Sequence, residues 1–327
     1  MTGQPCVLLL SHSEEPFCTE RVAGALVDRG ARALRIDTDL FPGSLDLRAE
    51  LAPGSSPCLM LGGEALVVDA VWLWRLWPAR QDEQLAAAHR EAALRESMTT
   101  LRGMLDLLAD AAWIDALDVN RAADNKTRQL RLAREVGLAI PPTLITADAS
   151  AVRRFFAAHD GRVVAKLQTP LGYSMAGGRG LPTRLLGVAD IEALAGLRHC
   201  PMVFQRYVDK ACELRIAWVD GVALVGALDG AECGVDWRYE GTGRWLPHTL
   251  PEVIHRRLAA LMARLGLRQG AIDLIVTPDG EYVFLEVNPN GEWGMLEQEL
   301  GLPISATLAE ALLRLARHPR RGEGEAI

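Results

Sequence analysis

Paired cysteines are missing from this chain. Its six cysteines, at positions 6, 18, 58, 200, 212 and 233, form no CxxC pair and no metal-finger spacing, which excludes a zinc module of that kind and reads them as reduced, mostly buried thiols of a cytosolic protein. Basic charge is also scarce. With 35 Lys and Arg against 42 Asp and Glu the net charge is -7, which argues against a nucleic-acid partner and leaves any anionic ligand to a few local cations. No uncharged run approaches the roughly 18 residues of a membrane helix. The start, Met1 to Pro5, has no basic stretch and no cleavage-site pattern, so no membrane partner and a cytoplasmic location are expected. Internal repeats are absent as well. What remains, 327 residues with 49% hydrophobic and 24% charged, is an ordinary globular composition, long enough for one large core or two to three smaller domains.

The apolar spacing organises this length. Cys6 to Leu10 reads as a buried strand, Glu15 to Asp28 as a helix ended by Gly30, and Ala33 to Ile36 as a second strand, a βαβ opening that implies a parallel sheet. Strand-like runs at Ala65 to Val71 and Trp72 to Leu76 precede a helical stretch from Asp82 to Ala111. Asp124-Asn125 is an N-cap for a helix carrying Leu130, Ala133 and Val136, which Gly137 ends and Pro141-Pro142 cannot continue. Val163 to Leu167 and Met202 to Tyr207 read as strands, separated by a glycine-rich loop, Thr169 to Gly180, and a helix near Val188 to Leu197. Two hairpins follow, Glu213 to Leu228 around Asp220-Gly221 and Ala271 to Val287 around Asp279-Gly280. Between them Pro251 opens a helix with Val253, Ile254, Leu258, Leu261, Met262 and Leu265 on its apolar side, and Gly266 closes it. The last seven residues, Arg321 to Ile327, read as a frayed tail.

The second hairpin carries the strongest chemistry. A two-residue turn at Asp279-Gly280 sets Asp273 directly opposite Glu286. One face of the ribbon then holds Ile272, Leu274, Val276, Val283, Leu285 and Val287, and the other presents Asp273, Glu286 and Asn288. A four-residue loop keeps this parity, whereas a three-residue bulged turn breaks it. Three oxygen-bearing side chains above a packed sheet suit a hard cation such as Mg²⁺; a merely solvated face is the competing reading, disfavoured by Pro289 and by the lack of balancing lysines on either strand.

Cations and an adenine edge lie upstream. Lys166 interrupts an apolar strand and needs an anion such as phosphate, unless it snorkels from the strand end. The loop after it could cover a triphosphate with free amides, although it is no Walker motif. The segment Phe204-Gln205-Arg206-Tyr207-Val208 can serve as an adenine edge, the Gln205 oxygen accepting from the exocyclic amine and backbone groups near Tyr207 and Val208 completing the contact. Glu213 could accept from a ribose hydroxyl and Arg215 point toward phosphate; either fits equally as a surface salt-bridge partner.

In order, Asn125-Lys126, Val164-Ala165-Lys166, Gln205 within its strand, Glu213-Leu214-Arg215, Ala271-Ile272-Asp273 and Leu285-Glu286-Val287-Asn288-Pro289 resemble the ATP-grasp superfamily, from about residue 120 onward. Asp236-Trp237-Arg238, the segment Asn288 to Glu297 and Val71-Trp72-Leu73-Trp74-Arg75 look like the microviridin-type graspetide ligases. Leu76 stands where relatives commonly show a second arginine. The resemblance implies an α/β ATP-grasp fold in three parts: an N-terminal βαβ domain over 1–118, a central subdomain over 119–199 and a C-terminal subdomain over 200–327, the last two clasping ATP. It further implies two Mg²⁺ ions held by Asp273, Glu286 and Asn288, and Lys126 and Lys166 on phosphates or adenine. Gln205, Arg206, Tyr207, Val208 and Glu213 fall to the nucleotide, and Arg215 and Arg238 neutralise charge at the acyl group. Arg238 could instead stack on Trp237. The implied reaction joins side chains of a ribosomally made precursor peptide, leader plus core, as esters or amides through an acyl phosphate, and the implied state is a homodimer. A ligase acting on free amino acids or extending a peptide tail, and a nucleotide-binding regulator without catalysis, are the alternatives. On the catalytic reading, Glu286→Gln or Arg215→Ala is expected to fold normally and lose turnover.

Overall fold

The computed structural model describes residues 4–15, 17–168, 182–240 and 243–317. In the first lobe β1 (Cys6–Ser11), α1 (Phe17–Val27) and β2 (Arg32–Asp37) form the expected βαβ unit. An antiparallel trio the sequence reading did not contain follows: β3 (Leu47–Glu50), β4 (Cys58–Leu61) and β5 (Glu64–Ala65). Gly62 and Gly63, both at positive φ, allow the two-residue turn that folds Glu64-Ala65 back onto β4. That turn cuts the apolar run, so the two strands expected between Ala65 and Leu76 are replaced by β5 and by β6 (Ala70–Leu73). α2 (Ala87–Asp106) is shorter than its periodicity and buries only Leu101 and Leu105; β7 (Ala112–Ile114) completes a parallel sheet of order β2-β1-β6-β7.

The middle of the chain begins with α3 (Leu117–Ala123) and α4 (Lys126–Glu135), whose N-cap Asn125 accepts from Arg128 N and whose end is released by Gly137 at φ +85°. After β8 (Thr143–Thr146), Asp148 caps α5 (Ala149–Ala158) by accepting from Ser150 N. Then come β9 (Val163–Lys166), β10 (Arg184–Leu185), α6 (Val188–Glu192) and β11 (Met202–Arg206). The single helix expected from Val188 to Leu197 is split: α6 ends at Glu192 and a 3-10 segment, Leu194–His199, replaces its last turns. The antiparallel order is β10-β9-β11-β8, so β11 belongs to this sheet and a boundary at 199 falls inside it. The glycine-rich loop and the C-terminal tail lie outside the described residues.

The third lobe holds β12 (Cys212–Val219), β13 (Val222–Asp229), α7 (Trp237–Glu240), β14 (Leu246–Pro247), α8 (Glu252–Leu265), β15 (Gln269–Val276), β16 (Tyr282–Asn288), α9 (Gly294–Leu300) and α10 (Ile304–Ala316), with the antiparallel order β14-β13-β12-β15-β16. Asp220 and Gly221, both at positive φ, make the two-residue turn of the first hairpin. α8 buries Ile254, Leu258, Leu261, Met262 and Leu265, while Val253, one step off that stripe, is exposed.

The second hairpin departs from the expected turn. Thr277 N donates to Glu281 O and Gly280 N to Thr277 O, enclosing a three-residue loop with Gly280 at φ +82°. Parity is therefore broken at the turn, with Leu274 opposite Phe284 rather than Leu285. One extra residue, Leu285, then bulges between Phe284 and Glu286 and restores the register, so that Asp273 faces Glu286 and Ala271 faces Asn288. The core face is consequently Ile272, Leu274, Phe284 and Val287, and Leu285 and Val283 leave the position expected for them.

Two of the lobes share one core. Val7, Leu9, Trp72 and Trp74 of the first sheet pack with Trp293, Ile304, Leu308 and Leu312 of the C-terminal helices. The central sheet has its own smaller core around Val152, Val163, Ala165 and Phe204. Among the described residues no helix is long and apolar enough to cross a membrane.

Candidate active site

A cavity of about 310 Å³ opens between the central sheet and the β12–β15–β16 sheet, and every residue singled out from the sequence except Arg215 lines it. Its floor is the carboxylate ribbon. Lys126 opens α4, a position where a cation opposes the helix dipole at a cost of about 0.3–1 kcal/mol. Offsetting this, its Nζ donates to Asn288 Oδ1 at 2.8 Å and Val287 O at 3.1 Å, and lies 3.3 Å from Asp124 and 3.6 Å from Glu286. Asn288 Nδ2 donates to Glu286 Oε1 at 3.1 Å. Burial works against the Glu286 charge, yet Lys126 and Lys166 prevail and hold its carboxyl down to about 2. Asp273 behaves oppositely: burial, with Glu286 adding to it, pushes its carboxyl up against the pull of Arg215. A buried and a half-buried carboxylate facing each other in this way are stabilised by added positive charge.

Lys166 reaches the same space from β9. Burial lowers its ammonium, partly countered by Glu286, and among the described residues it makes no ion pair. Gln205 Nε2 donates to Thr143 Oγ1 at 3.0 Å, which orients the amide and leaves its oxygen as an acceptor. Of the backbone groups near Tyr207 and Val208 expected at the base, the Tyr207 N–H donates to Arg162 O at 2.9 Å. Arg206 is exposed at the cavity rim, and Val208 lies beside it.

Glu213 is in the cavity wall rather than at a surface. Lys210, which the sequence reading missed, donates to Glu213 Oε2 at 2.6 Å and to the carbonyls of Gly234 and Val235 at 3.1 and 3.2 Å. Burial pushes the Glu213 carboxyl up against that lysine. Arg238 does not stack on Trp237, whose ring meets Trp245 edge-on at 5.2 Å. It donates instead to both oxygens of Asp236 at 2.8 and 2.9 Å, and Asp236 also accepts from Thr183 N at 3.0 Å, tying the two walls together. Although burial opposes it, Asp236 raises the guanidinium above its ordinary value.

Arg215 corrects an expectation. It faces Asp273 across neighbouring strands, and its Nη1 donates to both Asp273 oxygens at 2.7 and 2.9 Å. Nε and Nη2 donate to Glu292 O at 3.1 and 2.8 Å. The guanidinium thus braces Asp273 and the Glu292 carbonyl, and it is not among the residues that line the cavity. Register between β12 and β15, set across fifty-eight residues, decides this and is invisible in spacing along one strand. Arg75 closes the same network from the first lobe by donating to Glu292 Oε2 at 3.2 Å, and Glu292, although inside the graspetide-like segment Asn288 to Glu297, takes no role from the sequence.

Residues 6–121 match the family described as the MvdD pre-ATP grasp domain. The chain is similar to the macrocyclase MdnB from Microcystis aeruginosa MRC, with 43% identity and a TM-score of 0.81 over 94% of this chain and 99% of that one. It is also similar to the macrocyclase MdnC of the same organism, bound with precursor peptide MdnA: 33% identity, TM-score 0.85, over 94% and 99%. A Chryseobacterium gregarium RiPP-associated ATP-grasp ligase, in complex with ADP and a leader and core peptide, superposes with a TM-score of 0.87 at 29% identity, over 99% of this chain and all of that one. No curated protein sequence matches the chain.

Proposed function

Because the chain belongs to the microviridin-type ATP-grasp macrocyclases, we propose that it uses ATP to crosslink side chains of a ribosomally made precursor peptide, leader plus core, into macrocyclic esters or amides. A side-chain carboxylate of Asp or Glu attacks the γ-phosphorus of ATP, the bond to the β-phosphate oxygen breaks, and ADP leaves. The acyl phosphate is then attacked by a Ser or Thr hydroxyl or a Lys amine, which gives up a proton as inorganic phosphate departs. Per ring, the peptide loses one water and one ATP becomes ADP and phosphate.

The chain's own residues suit this division of labour. The Gln205 oxygen is aimed to accept from an adenine amine, and the Val208 backbone stands beside it. Lys126 and Lys166 are placed to meet phosphate oxygens that also relieve the burial of Lys166. Glu213, braced by Lys210, offers its other oxygen to a ribose hydroxyl. Arg238, half exposed while Asp236 fixes it, can face the charge that develops as phosphate passes to the carboxylate. Arg215 acts on the same chemistry by orienting Asp273.

The donor set fits magnesium. Asp273, Glu286 and the Asn288 amide offer oxygen only, and among the described residues no group of three or more His, Cys, Asp and Glu could hold a metal unaided. Such a sparse set matches Mg²⁺, which keeps waters and takes its remaining ligands from nucleotide phosphates. When bound, the ion supplies charge neutralisation on the β- and γ-oxygens. The family resemblance carries a two-ion reading, in which Asp273, Glu286 and Asn288 would be the protein's oxygen donors. The same likeness supports a homodimer, and six free thiols support a cytoplasmic setting. The central subdomain is best bounded after Arg206, where its sheet ends.

One observation carries this reading: two opposed carboxylates, Asp273 buried and Glu286 half-buried, share a cavity with Lys126, Lys166 and an adenine-type edge. Purified protein incubated with Mg²⁺, ATP and a precursor peptide is expected to give whole-water losses by mass spectrometry, strictly dependent on ATP. A mass gain on the peptide would replace crosslinking by ligation of a second molecule; no change with any precursor would remove the proposal.

A further inference from the structure

A polar network runs between two lobes and ends on Asp273 of the cavity. The backbone N–H groups of Trp74 and Arg75 both donate to Leu10 O at 3.0 Å, fixing the chain where β6 leaves the first sheet. From there the Arg75 guanidinium lies over the Trp74 ring at 4.2 Å, donates through Nη1 to Asn290 O and through Nη2 to Glu292 Oε2 at 3.2 Å. Glu292 is held on its other oxygen by Trp293 N and Gly294 N at 3.2 and 3.0 Å and by the Cys18 thiol at 3.0 Å. Its backbone carbonyl takes both remaining donors of Arg215, whose Nη1 grips Asp273.

The segment these bonds secure starts at Asn288, a candidate magnesium donor, and lies pressed on the ribbon. A Cβ on Gly291 would stand 2.5 Å from Ala271 Cβ, 2.9 Å from Asn288 Cβ and 3.0 Å from Arg215 Nη2. There is no slack between this strap and the two residues it touches. Arg75 therefore meets the strap at both Asn290 and Glu292, one residue on each side of the tightest point. Burying a guanidinium solely to fill the junction would be poorly chosen, since an apolar side chain of similar volume does so without desolvating a charge. What arginine adds is a planar fork able to hold a carbonyl and a carboxylate at once.

We propose that Arg75 and Glu292 are positioning residues for the metal-nucleotide site: Arg75, from the first lobe, grips Glu292 and Asn290 of the strap that follows Asn288, and the Glu292 carbonyl, through Arg215, fixes the orientation of Asp273. The inference rests on the magnesium reading given above and extends it to residues that touch neither nucleotide nor metal. Outer partners of this kind commonly tune metal affinity by about 10–100-fold.

The test uses Mn²⁺ as a paramagnetic probe, titrated by electron paramagnetic resonance into full-length protein saturated with ADP. Arg75→Ala and Glu292→Gln are each expected to weaken Mn²⁺ binding by about tenfold or more, with ADP affinity in the absence of metal unchanged. The double variant should be no weaker than the poorer single one, because both act on one strap. Arg75→Lys should recover only part of the loss, having no fork. Glu292→Gln keeps its backbone carbonyl on Arg215 and its shape, so it remains informative if Arg75→Ala fails to fold. Parent-like Mn²⁺ affinity in Glu292→Gln and Arg75→Lys, or losses that add in the double variant, would overturn the inference. Absence of Mn²⁺·ADP binding by the parent protein would instead remove the magnesium reading itself.

Discussion

Replacing Arg215 by alanine takes away the guanidinium that holds both oxygens of Asp273, a carboxylate nearly as buried as its partner, with side-chain exposures of 9% and 7%. The sequence alone leads one to expect a normally folded, inactive variant. The structure changes that expectation. Breaking a buried pair by removing one member costs about 3–5 kcal/mol, because the remaining charge keeps its desolvation penalty. Glu286 opposite makes the orphaned Asp273 worse off still. With an unfolding entropy of about 2.1 cal/mol/K per residue, this corresponds to a fall in Tm of roughly 4–7 °C for a chain of this length. The second variant needed is Asp273→Asn in the Arg215→Ala background, which removes the stranded charge and should return most of the loss; the pair should show a coupling of about 2 kcal/mol or more in a double-mutant cycle. Thermal unfolding followed by tryptophan fluorescence reads this directly, because Trp72, Trp74 and Trp293 lie in the core joining the first and third lobes. Arg215→Ala melting within a degree of the parent, or no recovery in the double variant, would refute the assignment of Arg215 as a strut.

Glu286→Gln should behave differently: Lys126 keeps Asn288, Val287 O and Asp124, so the variant should still fold cooperatively, while turnover falls by about a hundredfold or more, checked by melting and by ADP release. The bulge makes opposite predictions for adjacent residues: Phe284→Ala should cost about 3–5 kcal/mol, whereas Leu285→Ala, half-buried on the cavity side, should cost less than the roughly 2–5 kcal/mol of a fully buried leucine and weaken nucleotide binding instead, as denaturant melts and ADP titrations would show. Asp115 accepts from Arg268 N and Gln269 N, yet burial pushes its carboxyl up to about 7 against those donors. Because the folded value is raised, its stabilising contribution is complete below about pH 4 and is lost as pH rises through 7. Stability should therefore decline between about pH 4 and 7 by an amount that disappears in Asp115→Asn, as pH-dependent melts would reveal.

The βαβ opening, the capped α4 and both hairpins were legible because turn residues and caps act locally. Asp273 opposite Glu286 was legible for a subtler reason. The turn is one residue off the expected length, and the Leu285 bulge compensates, so the pairing at the site is the expected one although the pairing nearer the turn is not. A bulge leaves no mark in apolar alternation, which is why Leu285 was assigned to the core and Phe284 was not. Lys126, Lys166 and Gln205 could be placed because each interrupts or opens an element whose direction was already known. Lys210 was missed, and Asp236, Arg75 and Glu292 stood in the family-like segments without partners, because the contacts of Lys210, Arg75 and Glu292 come from other strands or another lobe and are ordered only in the assembled structure. For Arg215 the side-chain type was informative and its partner was not, since a guanidinium serves phosphate and carboxylate equally well.

The claim beneath all of this is that a peptide carboxylate is activated by taking the γ-phosphoryl group. Precursor peptide carrying heavy oxygen in its Asp and Glu side chains, turned over with unlabelled ATP, isolates that step. Each crosslink formed should deliver one heavy oxygen to the inorganic phosphate released, and Glu286→Gln should suppress label and crosslink together. Crosslinked peptide accompanied by phosphate free of label would contradict the account.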